Sequence, residues 1–276
     1  MNYNILDSGF GKRLEQVGDY LFIRPYSQAI WAPYLPEEDW KEAHAEFKGN
    51  MDGGTGKWVF HKEMIREFVL KTNLITFECR LTDYGHIGFF YEQYKNWEWL
   101  SKHAIKGGRY LNLFAYTGGS TIALASKAKV THLDASKPVV NWGKKNAELS
   151  HVSADSIRWI TDDVFKFVNR ELKRNNKYDG IIMDPPTFGR GSKGEIWKIE
   201  KNLRELLMLC KELLTEKANL FLLSAHASGF THHILKNCLV EQFPEKSDQI
   251  ESSDLLLTER HSGRDIPLGA YARWVS

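Results

Sequence analysis

The chain has 276 residues, enough for one large domain or a medium domain with an appendage, and its formal net charge of +2 is compatible with a nucleic-acid partner without demanding one. Its 3 cysteines (Cys79, Cys210 and Cys238) are scattered and odd in number, which argues against a disulfide framework and fits a reducing compartment; zinc spacing is absent. No run approaches the ~18 apolar residues of a membrane span, and Met1 to Phe10 lacks a charged segment followed by an apolar core, so a soluble, cytoplasmic protein without a membrane partner is expected.

Up to about residue 105, short apolar and aromatic runs at Asp19 to Pro25, Lys57 to Phe60, Ile75 to Leu81 and His86 to Phe90 are broken by Gly, Asp and Asn, the pattern of strands and hairpins. One helix is predicted between them, at about Lys62 to Thr72, and the Gly-rich segment Lys48 to Lys57 reads as a loop. Beyond residue 105 the rhythm becomes strand then helix. Predicted strands are Tyr110 to Phe114, Val130 to Asp134, Ile157 to Thr161, Gly180 to Asp184 and Leu220 to Ser224, each apolar enough to be buried on both faces. Helical patterns fall around Thr121 to Ala128, Lys137 to Glu148, Val164 to Arg174 and Lys198 to Thr215. Alternating βα units predict a Rossmann-like, doubly wound, mainly parallel α/β sheet. Leu268 to Trp274 reads as a last, hairpin strand closing that sheet.

In such a sheet the ligand sits beyond the carboxyl ends of the strands. Those ends are rich in acids. The first strand runs into Asn112-Leu-Phe-Ala115-Tyr-Thr117-Gly118-Gly119, where the glycines permit a tight turn and close approach of backbone to ligand. The second ends at Asp134-Ala135, where a carboxylate suits both hydroxyls of a ribose. The third ends at Asp162-Asp163-Val164, where a carboxylate can accept from an adenine amino group while the next N–H donates to the ring. The fourth ends at Asp184. Each acid alone reads equally well as a helix cap; four in order favour an adenosine pocket. A dinucleotide site would want Gly-x-Gly-x-x-Gly, whereas Phe114 and Tyr116 crowd any pyrophosphate here. A phosphate-free adenosine bearing a sulfonium suits a pocket rimmed by carboxylates, so S-adenosylmethionine is the predicted cofactor.

The fourth strand stops at Asp184-Pro185-Pro186-Thr187-Phe188. Two prolines remove two N–H donors, so the turn offers carbonyls and one carboxylate to a substrate amino group, with Phe188 as a stacking surface. Asp184, Pro185 and Phe188 are therefore the predicted catalytic residues. The following Gly189-Arg190-Gly-Ser-Lys193-Gly194 reads as a flap whose Arg190 and Lys193 contact phosphate. His226, after the fifth strand, is a candidate for substrate contact or a structural histidine. The His232-His233 pair has no acidic or Cys partner at metal spacing, and no metal is expected.

The run Leu111 to Gly119, then Asp134, Asp162-Asp-Val-Phe165 and Asp184-Pro-Pro-Thr-Phe188, resembles the class I S-adenosylmethionine-dependent methyltransferases, in particular the bacterial group related to ribosomal RNA large-subunit methyltransferases. The resemblance covers about residues 85 to 276. It implies a division into a small β-rich domain, residues 1–85, with substrate presentation as its role, and a methyltransferase domain, residues 86–276. It also implies that Thr117 and Gly118 lie in the methionine-binding turn, Asp134 on the ribose and Asp163 on the adenine, with Val164 giving a backbone contact. Phe90-Tyr91-Glu92-Gln93 matches an element that closes over the cofactor in this group, and Asn112 departs from the Asp usual at its position. The expected function is methylation of a nucleobase in RNA, ribosomal RNA foremost, at an exocyclic or ring nitrogen. Carbon-5 chemistry needs a thiolate, and where some relatives carry that Cys this chain has Ser224-Ala-His226-Ala-Ser228. The alternatives are a small-molecule or protein methyltransferase, carbon-5 methylation of cytosine, a catalytically silent RNA-binding protein, and a nucleotide-dependent oxidoreductase.

Overall fold

In the computed structural model, which describes residues 3–49, 55–190, 194, 196–227 and 229–276, the chain opens on a meander whose reversals are set by positive φ angles. Strands β1 (Tyr3–Gly9) and β2 (Lys12–Val17) are joined through Phe10 (φ 48) and Gly11 (φ 76), the two-residue geometry that a tight hairpin demands. Gly18 (φ 63) turns β2 into β3 (Tyr20–Pro25). A short helix, α1 (Glu37–Lys41), leads to β4 (Ala45–Lys48), which joins parallel to β3, and β5 (Lys57–Phe60) completes a 5-stranded sheet.

The helix predicted at about Lys62 to Thr72 is not formed. Glu67–Lys71 is a strand, β6, paired antiparallel with β7 (Thr76–Arg80). Phe68 packs its ring against Tyr20 and Phe22, at centroid distances of 4.8 and 6.2 Å. That contact, together with a Phe-Val pair suited to a pleated surface, outweighs the helical propensity of the charged residues before it.

From residue 92 onward the βα rhythm holds. Helix α2 (Tyr94–His103) precedes β8 (Arg109–Leu113), α3 (Gly119–Ala125), β9 (Lys129–Asp134), α4 (Lys137–Leu149), β10 (Ile157–Thr161), α5 (Val164–Lys173) and β11 (Gly180–Met183). A small hairpin of β12 (Phe188–Arg190) and β13 (Ile196–Lys198) follows, then α6 (Ile199–Glu212), β14 (Leu220–Ala225), α7 (His232–Gln242), β15 (Glu251–Thr258) and β16 (Asp265–Val275). The 7-stranded sheet has the order β10-β9-β8-β11-β14-β16-β15. Its strands from β10 to β14 are mutually parallel, and β16 runs antiparallel to β14. Leu111, Leu113, Ile181, Met183, Phe221 and Leu223 are buried at its centre, which is why these strands read as unbroken apolar runs.

Strand order reverses between β8 and β11, so the crevice for a ligand opens beyond their carboxyl ends. Register fixes what meets there. Leu113 pairs with Leu133 and Met183, and Met183 with Leu223, so the next residues, Phe114, Asp134, Asp184 and Ser224, share one row of the sheet edge.

The chain divides into two compact units, Met1–Tyr91 with Leu256–Ile266, and Glu92–Leu255 with Pro267–Ser276. Leu256–Ile266, expected in the second domain, thus groups with the first: Arg260 N–H donates to the Ile5 carbonyl (2.8 Å), and the Glu259 carboxylate accepts from buried Ser8. Such a return of the chain leaves no local signal.

Candidate active site

The turn from β8 to α3 is built on strained backbone. Phe114 (φ 54), Tyr116 (φ 49) and Gly118 (φ 91) alternate through the left-handed region, which costs a non-glycine residue about 1–2 kcal/mol. Hydrogen bonds that hold it include Ala115 N–H to the Leu133 carbonyl (3.0 Å), Tyr116 N–H to Asp134 Oδ2 (3.0 Å), Gly118 N–H to the Ala115 carbonyl (3.0 Å) and Asn146 Nδ2 to the Thr117 carbonyl (3.0 Å). Asp134 is therefore coupled to the turn. Its Oδ1 accepts from Ser136 N–H (2.9 Å), with lone pairs left for further donors. Burial pushes the Asp134 carboxyl above its usual range, and the N–H groups of Ser136, Tyr116 and Ala135 offset only part of that.

Beneath the turn lies a polar chain. Asn112, 3% exposed, donates from Nδ2 to Thr121 Oγ1 (2.8 Å), and Thr121 meets His132 Nδ1 at 2.9 Å. Asn112 thus buttresses α3 from below the turn. Burial depresses the His132 pKa to about 3, so the ring is neutral and packs on Trp159 at 4.5 Å. Gly143 lets α4 approach: a Cβ there would stand 3.0 Å from Trp159 and 3.4 Å from His132. Thr121, His132, Gly143 and Asn146 were not singled out from the sequence, and a His alternating with Asp134 on one strand was the available signal.

At the end of β10, Asp162 accepts Asp163 N–H at Oδ1 (2.8 Å) and pairs with Arg170 through Oδ2. Asp163 caps α5, its Oδ1 accepting from Lys166 N–H (3.0 Å), and Val164 is the first, buried residue of that helix. Asp162 N–H donates to the Asp134 carbonyl (3.2 Å), which ties this end to its neighbour.

Asp184 is engaged through one of its two oxygens. Its Oδ2 accepts from Gln93 Nε2 (3.0 Å) and from His226 Nε2 (3.2 Å). Although 27% of the side chain is accessible, Oδ1 is itself buried and has no hydrogen-bond partner among the described residues. Pro185 is buried, while Phe188, half exposed, opens β12. Trp197 was missed in the sequence. Its Nε1 donates to the Pro186 carbonyl (2.6 Å) and its ring packs on Phe114 (4.9 Å), linking the Asp-Pro-Pro turn to the first turn.

The structure brings the Phe114–Gly118 turn, Asp134, Asp184, Gln93 and His226 to one edge of the sheet. Glu92 comes with them, its Oε1 3.5 Å from His226 Nδ1. Phe90 belongs to the other unit, where its ring meets His86 at 5.2 Å. Arg190 ends β12, and Lys193 lies outside the described residues. No group of three metal-ligating side chains occurs among the described residues, and no described helix is long and apolar enough to cross a membrane.

Burial works against charge at both Asp184 and His226, yet their mutual attraction outweighs it. The carboxyl is held below its usual range by the His226 cation and by hydrogen bonds from His226, Ser224 and Gln93. The imidazole is pushed up to about 10, by Asp184 first and Glu92 next. His226, raised above its ordinary 6.5, contributes stability that is complete below that pH and is lost as pH rises through about 10. Asp184, lowered from 3.8, contributes above that value and loses it as pH falls through the lower folded value. The melting-temperature gap between the wild type and His226→Gln is therefore expected to be widest near pH 5–6 and to shrink toward pH ~10; a gap independent of pH in thermal melts would contradict the charge assignment.

The donors and acceptors of this edge fit S-adenosylmethionine: carboxylates for ribose and amino groups, a close-approach turn, and net negative charge for a sulfonium. Residues 49–236 match the profile of the S-adenosylmethionine-dependent methyltransferase family. The crystal structure of an S-adenosylmethionine-dependent methyltransferase from Agrobacterium tumefaciens is 35% identical, with a TM-score of 0.94 over 100% of this chain and 90% of that one. A second structure, assigned as a methyltransferase and complexed with SAH, shares the fold at 21% identity (TM-score 0.73, 96% of this chain, 72% of that one). Ribosomal RNA large subunit methyltransferase K of Neisseria meningitidis is 27% identical over 183 residues, 65% of this chain, and the chain spans 50% of that protein's length. The strained first turn, the acidic strand ends and a match covering most of the second unit converge on one assignment: the chain belongs to the S-adenosylmethionine-dependent methyltransferases.

Proposed function

We propose that the protein methylates an exocyclic or ring nitrogen of a nucleobase in RNA, with ribosomal RNA as the favoured target. One observation carries the choice of atom: a buried carboxylate oxygen, Asp184 Oδ1, without a partner among the described residues, at the switch point of the sheet. An orphaned acceptor in a crevice calls for a donor, and an amino or ring N–H is the donor a nucleobase offers. S-adenosylmethionine supplies the methyl group on its sulfonium. The chain supplies position.

In this reading Asp184 Oδ1 and the Pro185 carbonyl accept the protons of the acceptor nitrogen and turn its lone pair toward the methyl. As the new N–C bond forms and the S–C bond breaks, one nitrogen-bound proton passes to Asp184 Oδ1. Phe188 stacks on the base, whose removal from a helix costs a few kcal/mol unless it is already unpaired. Arg190 and Lys193 are the proposed phosphate contacts, Lys193 lying outside the described residues. Ala115, Thr117 and Gly118 hold the methionine portion of the cofactor, Asp134 and Ala135 the ribose, and Asp162, Asp163 and Val164 the adenine, with Glu92 and Gln93 on the closing side.

Carbon-5 chemistry is disfavoured by the thiols themselves. Burial raises Cys210 and Cys238, on α6 and α7, and pushes Cys79, in the other unit, up to about 12. The relatedness to an enzyme of the large ribosomal subunit supports RNA as substrate class. The first unit carries a cavity of about 750 Å³ whose lining includes Phe10, Trp40, Lys12, Lys41, Glu37 and Glu46, with Lys12 and Lys48 held by Glu46 and Lys41 by Glu37. Substrate presentation is the proposed role of this unit.

Mass spectrometry of ribosomal nucleosides from a deletion strain tests the reading. Loss of one N-methylated nucleoside, restored by the wild-type gene, is expected. An unchanged profile would reject RNA in favour of a small molecule or protein, and loss of a carbon-methylated pyrimidine would reject the nitrogen.

A further inference from the structure

Asp184 has two oxygens with different duties, and the groups around them dictate which is which. His226 Nδ1 lies 2.9 Å from the Leu268 carbonyl and Nε2 lies 3.2 Å from Asp184 Oδ2. Both partners can only accept. A neutral imidazole has one N–H and satisfies one of them; an imidazolium satisfies both. Glu92 Oε1, 3.5 Å from Nδ1, adds a second negative charge beside the ring. Gln93 Nε2 lies 3.4 Å from His226 Nε2, and with the ring protonated both groups donate to Asp184 Oδ2 and not to each other.

Gln93 is oriented by a chain of forced polarities. Arg273 is donor-only, and its NH1 donates to Asn96 Oδ1 (2.7 Å). The Asn96 amide therefore turns Nδ2 toward Gln93 and donates to Oε1 (2.7 Å). That leaves Gln93 Nε2 for Asp184 Oδ2 (3.0 Å) and Ser224 Oγ (2.9 Å). Arg273 is itself held between the rings of Trp99 and Tyr271, at 4.6 and 4.5 Å, with Nε on Glu251 Oε1 (2.6 Å). Flipping either amide would place two donors or two acceptors face to face.

We propose that Glu92, His226 and Asp184 form a charge triad in which His226, always protonated in the working range, is a positioning residue. Together with the Arg273-Asn96-Gln93 relay it saturates Oδ2 of Asp184 and keeps that carboxylate ionised, so that the buried Oδ1 is the oxygen left without a partner among the described residues. His226 is then neither a base nor a direct substrate contact, because each ring nitrogen already has an acceptor inside the site. The triad rests on the amine-methylating reading for its purpose, but not for its test.

Nuclear magnetic resonance of the histidine-labelled full chain, without substrate, reads the His226 ring directly, with His226→Gln assigning the signal. Both ring nitrogens are expected to stay protonated from about pH 6 to 8.5, and Asp184→Asn should bring the titration down by at least about one unit. Glu92→Gln should lower it by less, and serves if the other variant fails to fold. In carboxyl-labelled protein, the Asp184 titration is expected to lie below its ordinary 3.8 in the wild type and to rise in His226→Gln. A neutral His226 at pH ~7, or an Asp184 that ionises alike with and without His226, would overturn the triad. No substrate is needed for any of these readings. A failure of the methylation reading appears instead in the nucleoside profile, with the triad's titration intact.

Discussion

Asp184→Ala is expected to lower kcat by about 10²–10⁴-fold, the range for removing a positioned proton acceptor. The dissociation constant for S-adenosylmethionine should stay within about threefold, because the role assigned to Oδ1 lies toward the acceptor nitrogen. The split matters more than the size. Deleting the carboxylate also removes the anion beside His226 Nε2, so some stability is lost. Thermal melts must therefore accompany the kinetics, to show that the protein assayed is folded. Calorimetry with the cofactor supplies the second half of the test. A variant that keeps full turnover would show that the Asp-Pro-Pro turn orients nothing, and one that loses cofactor binding together with turnover would move Asp184 to the cofactor side.

Asp134→Ala has the opposite signature. S-adenosylmethionine binding should weaken by about 2–3 kcal/mol, roughly 30- to 150-fold in Kd, since hydrogen bonds to a charged acceptor are worth about 1.5–3 kcal/mol each. Two losses combine. The ribose hydroxyls lose their carboxylate, and Tyr116 N–H loses the acceptor that holds the strained first turn in place. Asp134→Asn separates them, because an amide oxygen can still accept from Tyr116 N–H while the charge is gone. Binding intermediate between wild type and the Ala variant is expected by calorimetry. An Ala variant that binds the cofactor within about threefold of wild type would remove Asp134 from the ribose.

How far the site could be read in advance depends on the reach of each interaction. Strands buried on both faces show themselves as apolar runs, so the five βα strands and the acids at their ends were legible. The short strand Glu67–Lys71 was not, because the five residues carry too little alternation to outweigh the charged, helix-favouring residues before them. Helix α2 escaped for a related reason: it buries Tyr94, Trp97 and Trp99 together with Asn96, a mixture that matches no simple apolar stripe. Asp134 and the turn it supports are 18 residues apart, and a family pattern links them.

By itself, then, the amino-acid order determined the βα rhythm, the four acidic strand ends, the Asp-Pro-Pro-Thr-Phe turn and the absence of a thiol after the fifth strand. All are local consequences of side-chain type. Only the tertiary structure decided that strand order reverses between β8 and β11, which sets the Asp-Pro-Pro turn beside the Gly118 turn. It alone joined Gln93 to Asp184 across 91 residues, Asp184 to His226 across 42 and Asn96 to Arg273 across 177. The reason is physical. A hydrogen bond's direction and a buried group's charge depend on which partners the fold brings within about 3 Å, and neighbours in sequence carry no record of them.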